Sequence, residues 1–309
     1  MVRNISNNKG RWTQRALLRL AQPYVRRELP KWASVYDLLI GSFQRDRFWS
    51  DAPIVRGRNK YFGFECDYDL SRWADRMTFV LGRWNDLAEQ LLLHAVNAKT
   101  VVDIGANRGE FTMAAAAMKP DAKVIAFEPN PAMSAILKAD LERNSIENVE
   151  LNEFALSDRK ETLTLHVPYV NAGSASFGGF ESEGYTIKAP VRVGDEVLAG
   201  AKPDLIKIDV EGFELRVVNG LKDVIAAAQP IIATEFFAEN LERCGTSTDE
   251  LRALFSDLAY QGFGLSVTRR GAHHELKLGG EHTDVVWLPS HVEPQTLHAS
   301  TRDLQRLYC

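Results

Sequence analysis

The sequence lacks most of the features that would assign it to a secreted, zinc-binding or membrane-spanning class. Three cysteines, Cys66, Cys244 and Cys309, occur in 309 residues, and none of them forms a CxxC pair. This small, odd number indicates a reducing compartment and argues against a disulfide framework or a zinc–thiolate site. No stretch approaches the roughly 18 apolar residues that a transmembrane helix needs. The first residues are basic but have no apolar core, unlike a secretory signal, so we expect a cytoplasmic protein.

Several other signatures are missing. The sequence contains no HExxH motif and no Ser-His-Asp order, so a hydrolase assignment has no support in the motifs. It also contains no internal repeat and no low-complexity tract. The length predicts one large domain, or one domain with an appendage.

Charge is unevenly distributed along the chain. The net charge is −4, but residues 1–60 hold 13 Lys or Arg against 4 Asp or Glu, which gives +9 and leaves −13 for the remainder. Within this basic arm, residues 11–29 carry Trp12, Ala16, Leu20 and Tyr24 at a spacing of four, which predicts an amphipathic helix disturbed at Pro23.

Two interpretations of the basic arm stay open. In the favoured one, the helix lies on the protein's own acidic body and helps to close the site, because Pro23 interrupts it and its apolar stripe is narrow for an interfacial anchor. In the other, the arm contacts an anionic membrane surface and places the protein at the membrane periphery.

Strands and helices alternate from residue 100 onward. Short apolar strands that alternate with helices predict an α/β fold, with a mostly parallel, Rossmann-like sheet of seven strands covered on both faces. A tight connection near 268–275 suggests one antiparallel hairpin at the sheet edge. The predicted strands are 100–104, 123–128, 149–156, 204–210, 230–237, 262–267 and 284–289, and the predicted helices are 109–118, 131–144, 213–228 and 247–260.

This pattern divides the chain into two regions. Residues 1–75 form a basic, mainly helical extension, and residues 76–309 form the α/β domain. The α/β domain carries an insertion at 158–200, which has alternating segments around a Gly/Ser-rich stretch. We expect the insertion to form a hairpin and a loop beside the site.

The stretch VVDIGANRGEFT (101–112) places a glycine-containing turn after a strand, where ligands bind in open α/β sheets. Two adenosine cofactors compete for such a turn. A dinucleotide would put its pyrophosphate on the helix N-terminus, where the carboxylate of Asp103 would repel it. S-adenosylmethionine carries a positive amino group and a positive sulfonium, and Asp103 would attract them. One pair of unit charges about 4 Å apart interacts by roughly 4 kcal/mol at an effective dielectric of about 20. The charge of Asp103 therefore favours S-adenosylmethionine.

Glu128 ends the second strand, 23 residues after Gly105. A carboxylate at this place can accept hydrogen bonds from both ribose hydroxyls. Because NAD enzymes use an acid at a similar distance, Glu128 predicts an adenosine without distinguishing the two cofactors.

Four segments together resemble the FkbM family of S-adenosylmethionine-dependent methyltransferases: VVDIGANRGEFT, VIAFEPNP, NVELNEFALSD and DLIKIDVEGFELRVVNGL. The resemblance covers roughly residues 64–290, and IKIDVEGFE is its most specific element. It implies the seven-stranded methyltransferase fold and methylation of hydroxyl oxygens, mainly in sugars and polyketides. After an upstream glycine the family has an aromatic residue and a glutamate, where this chain has Trp84 and Asn85, so the sequence departs from the family at Asn85.

The resemblance also implies a set of cofactor-binding residues. The loop would line the methionine end, Glu128 with its two neighbours would hold the ribose, and two residues after the third strand would flank the adenine. In order, these residues are Asp103, Gly105, Ala106, Asn107, Gly109, Glu128, Pro129, Asn130, Ala155 and Leu156.

Methyl transfer to a hydroxyl needs a base, which contributes about 10²- to 10⁴-fold, or a metal ion that acidifies the hydroxyl. Asp209 and Glu211 end the fourth strand and Glu235 ends the fifth, so one of these carboxylates is the candidate base. His166, on the insertion, is a weaker candidate. Two or three of the carboxylates could bind Mg²⁺, but no DxD or DD pair accompanies Asp209, so we expect no obligatory metal.

These features predict an O-methyltransferase that acts on a hydroxyl of a sugar, glycan, glycolipid or similar natural product, without a nucleic-acid partner. Two alternatives remain. One is an NAD-dependent sugar-modifying oxidoreductase, which Asp103 and the absence of a Tyr-xxx-Lys pair disfavour. The other is a non-catalytic membrane- or partner-binding protein on a methyltransferase scaffold.

Overall fold

The structure is a computed structural model that describes residues 8–41, 43–84, 86–169, 172–179, 183–270 and 273–308. The chain divides into two compact units, Met1–Asn85 and Asp86–Cys309. The first unit therefore extends ten residues beyond the boundary at residue 75 that the sequence suggests. Six of the added residues, 76–81, belong to a helix (Trp73–Leu81) that packs within this unit.

The first unit combines helices with one two-stranded antiparallel sheet. Helix α1 packs against α2 and α4, around a core that includes Tyr36, Trp49 and Val80. Its elements are α1 (Asn8–Val25), α2 (Trp32–Leu39), α3 (Asp46–Trp49), α4 (Trp73–Leu81), β1 (Ile54–Arg58) and β2 (Glu65–Asp69).

The predicted amphipathic helix exists, but the residues that it buries within the first unit are not those of the predicted stripe. Ala21 and Val25 are fully buried, whereas Trp12 is 71% exposed and Leu20 is 68% exposed. A spacing of four residues rotates about 40° around a helix at every step, so the stripe that starts at Trp12 drifts away from the packed side. Pro23 does not break the helix in its middle, because α1 ends two residues later at Val25.

Some basic residues of the first unit form ion pairs within that unit. The carboxylate of Glu28 pairs with Lys60 at 2.5 Å and with Arg83 at 2.9 Å. The guanidinium of Arg76, which is fully buried, pairs with Asp46 at 2.7 Å. These pairs connect residues that are far apart in the sequence, so the arm is part of a folded unit.

The second unit is an α/β domain. Its helices are α5 (Leu87–Ala95), α6 (Glu110–Met118), α7 (Pro131–Arg143), α8 (Gly194–Val197), α9 (Glu214–Asn219), α10 (Lys222–Ala228), α11 (Ala238–Arg243), α12 (Thr248–Asp257) and α13 (Thr301–Tyr308). Its strands are β3 (Thr100–Ile104), β4 (Lys123–Phe127), β5 (Val149–Asn152), β6 (Ala155–Ser157), β7 (Glu161–Pro168), β8 (Gly184–Val193), β9 (Leu205–Ile208), β10 (Ile231–Glu235), β11 (Tyr260–Arg270), β12 (His273–Leu278) and β13 (Asp284–Pro289).

The main sheet has the order β12-β11-β13-β10-β9-β3-β4-β5. Strands β5, β4, β3, β9 and β10 are parallel, and β13 pairs antiparallel with both β10 and β11. The chain leaves β3 for β4 on one side and later returns to β9 on the other. The carboxyl ends of β3 and β9 therefore form the switch point, where ligands bind in such sheets.

The Rossmann-like fold is confirmed, with two differences in strand assignment. The sheet has eight strands rather than seven, because the edge hairpin joins β11 to β12, a strand that the sequence pattern does not predict. The predicted strand 149–156 is divided, since β5 pairs in the main sheet whereas β6 pairs with β8 in a separate three-stranded sheet. That small sheet, in the order β6-β8-β7, contains the predicted hairpin of the insertion.

Among the described residues, no helix combines the length and apolar character that crossing a membrane would require.

Candidate active site

One cavity lies beyond the carboxyl ends of β3, β4 and β9, and the insertion loop between β7 and β8 contributes part of its wall. Its lining mixes apolar side chains with three carboxylates. The lining residues are Ile104, Gly105, Asn107, Phe127, Glu128, Pro129, Met133, Ala155, Leu156, Leu165, Gly173, Ser174, Ala175, Phe177, Asp209, Val210, Glu211 and Phe213. Six of the ten predicted cofactor residues are in this set: Gly105, Asn107, Glu128, Pro129, Ala155 and Leu156.

Gly105 makes the sharp turn at the end of β3. Its φ is +86°, and a Cβ built on it would lie 1.9 Å from the carbonyl oxygen of Asp209. The turn is held by the N–H groups of Gly105 and Ala106, which both donate to the carbonyl of Phe127 at 2.9 Å. Only glycine leaves room for β3 and β9 to approach each other this closely.

We expect Gly105→Ala to lower the free energy of unfolding by about 2–5 kcal/mol, because the positive φ and the backbone overlap both penalise the methyl group. Gly200→Ala is the matched control, since its φ of +77° is similar but nothing lies within 4 Å of the added Cβ. The control should cost only about 1–2 kcal/mol. Equal losses in chemical denaturation would contradict the role given to the contact with Asp209.

Glu128 is held by the main chain of both neighbouring loops. Its Oε2 accepts the N–H of Asn107 at 2.7 Å, and its Oε1 accepts the N–H of Asn130 at 2.7 Å. Burial raises the pKa of Glu128 to about 7, against the effect of these two donors, which lower it. The carboxylate lies in the cavity wall with further lone pairs, so it can accept hydrogen bonds from a ligand.

Four predicted cofactor residues do not line the cavity. Ala106 is buried behind the turn. A Cβ on Gly109 would lie 2.1 Å from the Leu137 side chain, so this glycine allows α6 to pack on α7. Asn130 is the N-cap of α7, with its side chain accepting from Ala132 N–H. The fourth is Asp103, whose carboxylate is fully buried.

The Asp103 carboxylate, predicted to face the cofactor, does not line the cavity wall and points toward α6 instead. Its Oδ2 accepts the hydroxyl of Thr112 at 2.5 Å, and its Oδ1 lies 3.9 Å from the Nζ of Lys207. Burial raises the pKa of Asp103, although Lys207 and Thr112 oppose the shift. The side chain supports the site from behind, because Lys207 also contacts Asp209 at 3.0 Å.

Lys207 is a buried cation among carboxylates. Burial disfavours its charge, but the carboxylates of Asp209, Glu89 and Asp103 together hold the pKa of Lys207 well above its usual value. Asp209 is the member of this group that lines the cavity. Lys207 thus fixes the Asp209 carboxylate at the carboxyl end of β9.

The three carboxylates predicted as candidate bases do come together. Oxygen atoms of Asp209, Glu211 and Glu235 all lie within 4.8 Å of one another. The amide of Asn240 joins two of them, because its Nδ2 donates to Glu211 at 2.8 Å and to Glu235 at 2.9 Å. Asp209 and Glu211 line the cavity, whereas Glu235 stands behind them.

Glu211 occupies a strained turn. Its φ is +53°, which is uncommon for a residue with a side chain. Glu214, rather than Glu211, supports this turn, since its buried carboxylate accepts the N–H groups of Val210 and Gly212. Burial, then the charges of Glu235 and Asp209, raise the pKa of the Glu211 carboxyl. The turn therefore presents a carboxyl group with increased proton affinity to the cavity.

The acidic cluster has oxygen ligands that a hard cation such as Mg²⁺ prefers. In the part of the chain that the structure describes, these three carboxyl groups have partners within the protein. Lys207 pairs with Asp209, and Asn240 donates to Glu211 and Glu235. That no metal ion is obligatory stays a prediction.

His166 does not belong to this cavity. It lies on β7 next to Leu165, which lines the cavity, and successive side chains of a strand point to opposite faces. A Cβ on Gly179 would be 3.7 Å from its Nε2, which places the ring beside the insertion loop. The prediction of His166 as a base is therefore not supported by its position. Asn85, which departs from the family pattern, lies outside the described residues.

Four residues of the site are not evident from the sequence pattern: Lys207, Asn240, Ser174 and Glu214. Lys207 is a charged residue inside the apolar strand IKI, which was the one signal available. Asn240 lies on α11, a helix that the sequence pattern does not predict. Ser174 is in the insertion loop, which the sequence predicts to lie beside the site without indicating which of its residues line the cavity.

Because the folded protein raises the pKa of Glu211, it binds a proton there more tightly than the unfolded chain does. This carboxyl group therefore contributes less and less to stability as pH rises from its ordinary pKa toward its folded value. We expect Glu211→Gln to melt higher than the wild type at about pH 8, and this advantage to shrink or vanish near pH 5. Melting curves at both pH values test this, and an advantage that is larger at low pH would contradict the raised pKa.

A family model described as the methyltransferase FkbM domain matches residues 103–261, which include the glycine turn and the three carboxylates. Among curated proteins, methyltransferase sdnD of Sordaria araneosa is 29% identical over 156 residues, which is 40% of this chain and 60% of that protein. Methyltransferase 1 of Beauveria bassiana is 26% identical over 145 residues, 40% of this chain and 58% of that protein. The chain thus spans about 60% of the length of these curated relatives.

A solved structure of methyltransferase FkbM from Methylobacillus flagellatus superimposes with a TM-score of 0.40 and 14% identity, covering 89% of this chain and 58% of that one.

Proposed function

Because the chain belongs to the FkbM methyltransferase family, we propose that it transfers the methyl group of S-adenosylmethionine to a hydroxyl oxygen of a sugar, glycan, glycolipid or related natural product. The observation that carries the proposal is the pairing of two features in one cavity. Glu128 offers a buried acceptor next to the glycine turn, and Asp209 with Glu211 offers carboxylates at the neighbouring strand end.

The residues of the cavity fit this cofactor. A side chain at position 105 would overlap the main chain of Asp209, and glycine leaves this space open. Glu128 would hold the ribose hydroxyls, and the apolar side chains of Ala155 and Leu156 would flank the adenine. The carboxyl oxygens of Asp209 and Glu211 face the cavity, where they could accept hydrogen bonds from the amino group of the cofactor.

When bound, S-adenosylmethionine supplies an activated methyl group and its own leaving group. The protein must then align the acceptor and remove its proton. We assign the proton transfer to Glu211, because its carboxyl faces the cavity and has a raised pKa, which makes its ionised form a stronger base. Asp209 is less suited to this role, since Lys207 engages its carboxylate at 3.0 Å.

Asn240 positions the base. Its single amide group donates to both Glu211 and Glu235, and Arg243 donates to its Oδ1. This arrangement keeps two carboxyl groups close, so that one of them holds a proton more tightly. Hydroxyl groups both donate and accept hydrogen bonds, and the carboxylates and the Ser174 hydroxyl at the cavity supply complementary partners for them.

Calorimetry tests the cofactor assignment with the whole chain. S-adenosylhomocysteine should bind and raise the melting temperature by mass action, while NAD should do neither. A ligand at about 100 times its Kd stabilises the folded state by about 2.7 kcal/mol, which is easily measured. Binding of NAD alone would refute the assignment. Methyl transfer to a panel of sugar and polyol acceptors then tests the acceptor class.

A further inference from the structure

Helix α1 has an apolar set of residues on the side that does not pack. Trp12 and Leu20 are 71% and 68% exposed, and Ala16 between them is also exposed. The opposite side of the same helix is already packed, with Ala21 and Val25 fully buried. A single exposed apolar side chain is ordinary in a soluble protein. Two large ones on one face, two turns apart, indicate a surface that contacts something else.

The same face is positively charged. At about 100° per residue, Trp12, Arg15, Ala16, Arg19 and Leu20 fall within an arc of about 140°. Arg15 and Arg19 are exposed, and α1 contains no acidic residue anywhere along its length. The face therefore alternates arginines with apolar side chains and carries no negative charge.

We propose that this face of α1, defined by Trp12, Arg15, Ala16, Arg19 and Leu20, binds the surface of an anionic lipid bilayer. The proposal is independent of the proposed enzymatic function. The arginines would contact lipid phosphates, whose negative potential attracts basic residues next to the membrane. The indole of Trp12 suits the interface, where aromatic rings with a polar group are enriched, and Leu20 would reach the acyl boundary.

A soluble polyanion such as a nucleic acid would use Arg15 and Arg19 but would leave Trp12 and Leu20 in water. A bilayer satisfies both, which is why we commit to lipid as the partner.

The test uses the full chain and flotation with phosphatidylcholine vesicles that either contain or lack phosphatidylserine. We expect binding only to vesicles with phosphatidylserine, and weaker binding as salt is raised. Replacing Arg15 and Arg19 by glutamine should lower the partition coefficient about five-fold per arginine, which corresponds to about 1 kcal/mol each. Trp12→Ala with Leu20→Ala should also reduce binding, with an unchanged melting temperature because both side chains are exposed.

A matched control removes the same charge elsewhere. Lys160 and Lys222 are exposed residues of the second unit, and their replacement by glutamine should leave vesicle binding unchanged. Three results would each overturn the proposal: no dependence on phosphatidylserine, an equal loss in the lysine control, or full binding after the change of Trp12 and Leu20. Binding to heparin without binding to vesicles would instead identify a soluble polyanion as the partner and would also refute the lipid assignment.

Discussion

Replacing Glu211 with glutamine should lower kcat for methyl transfer by about 10²- to 10⁴-fold, the range that a general base contributes. Glutamine has nearly the same shape as glutamate, and its carbonyl oxygen can still accept the Nδ2 of Asn240, which donates to Glu211 at 2.8 Å. It cannot take a proton from the acceptor hydroxyl. Binding of S-adenosylhomocysteine should therefore change little, so that the loss appears in turnover.

The measurement compares kcat and the Kd for S-adenosylhomocysteine in the same preparation. Glu239→Gln, on the exposed side of the neighbouring helix α11, is the charge-matched control and should leave both values unchanged. The wild-type kcat should rise with pH as the raised pKa of Glu211 is passed, because only the ionised form accepts a proton. A variant that keeps wild-type turnover would remove Glu211 from the reaction and leave Asp209 as the candidate base.

The sequence predicted the sheet because buried parallel strands have a simple signature. Each of them is a short apolar run followed by a helix, and β3, β4, β9 and β10 all follow this pattern. Strand β12 does not, since its alternating and partly exposed residues resemble the loops around it. The split of residues 149–157 between two sheets depends on pairing with β8, about forty residues away, which no local pattern reports.

The site was predictable only where its residues sit at strand ends. Three of them, Gly105, Glu128 and Asp209, come directly after strands, and Glu211 comes two residues after Asp209, so the topology brings them to one place. The direction of a side chain within a strand is harder to infer, and Asp103 is the example. It belongs to β3 itself, and its side chain points toward Thr112 on α6. Lys207 offsets its charge, and its carboxylate does not line the cavity.

This changes the physical basis for preferring a cationic cofactor. The sequence bases that preference on Asp103, but in the structure Lys207 offsets the charge of Asp103. Lys207 lies even closer to Asp209, at 3.0 Å, and the raised pKa of Glu211 keeps its carboxyl group protonated near neutral pH, so neither residue restores the charge argument. The preference for S-adenosylmethionine over NAD therefore depends on the family match rather than on the charge of one residue.

Glu128→Ala should weaken binding of S-adenosylhomocysteine by about 100-fold or more, because two hydrogen bonds from ribose hydroxyls to a charged acceptor together contribute at least about 3 kcal/mol. The change also removes the acceptor of two main-chain donors, Asn107 N–H and Asn130 N–H, each 2.7 Å from the carboxylate. Each buried donor left without a partner costs about 1–3 kcal/mol, so the ligand-free protein should melt earlier as well.

Two comparisons separate loss of the ribose contact from loss of the loop. Glu128→Gln keeps one carbonyl oxygen, which can accept only one of the two donors cleanly, so its affinity should fall between those of the wild type and the alanine variant. Glu150→Gln, an exposed position on the adjacent strand β5, removes the same charge outside the cavity and should bind as the wild type does. Titration calorimetry well below the melting temperature keeps every variant folded during the measurement. If Glu128→Ala binds S-adenosylhomocysteine within a few-fold of the wild type, the carboxylate supports the loop alone, and the ribose must be held by other residues of the cavity.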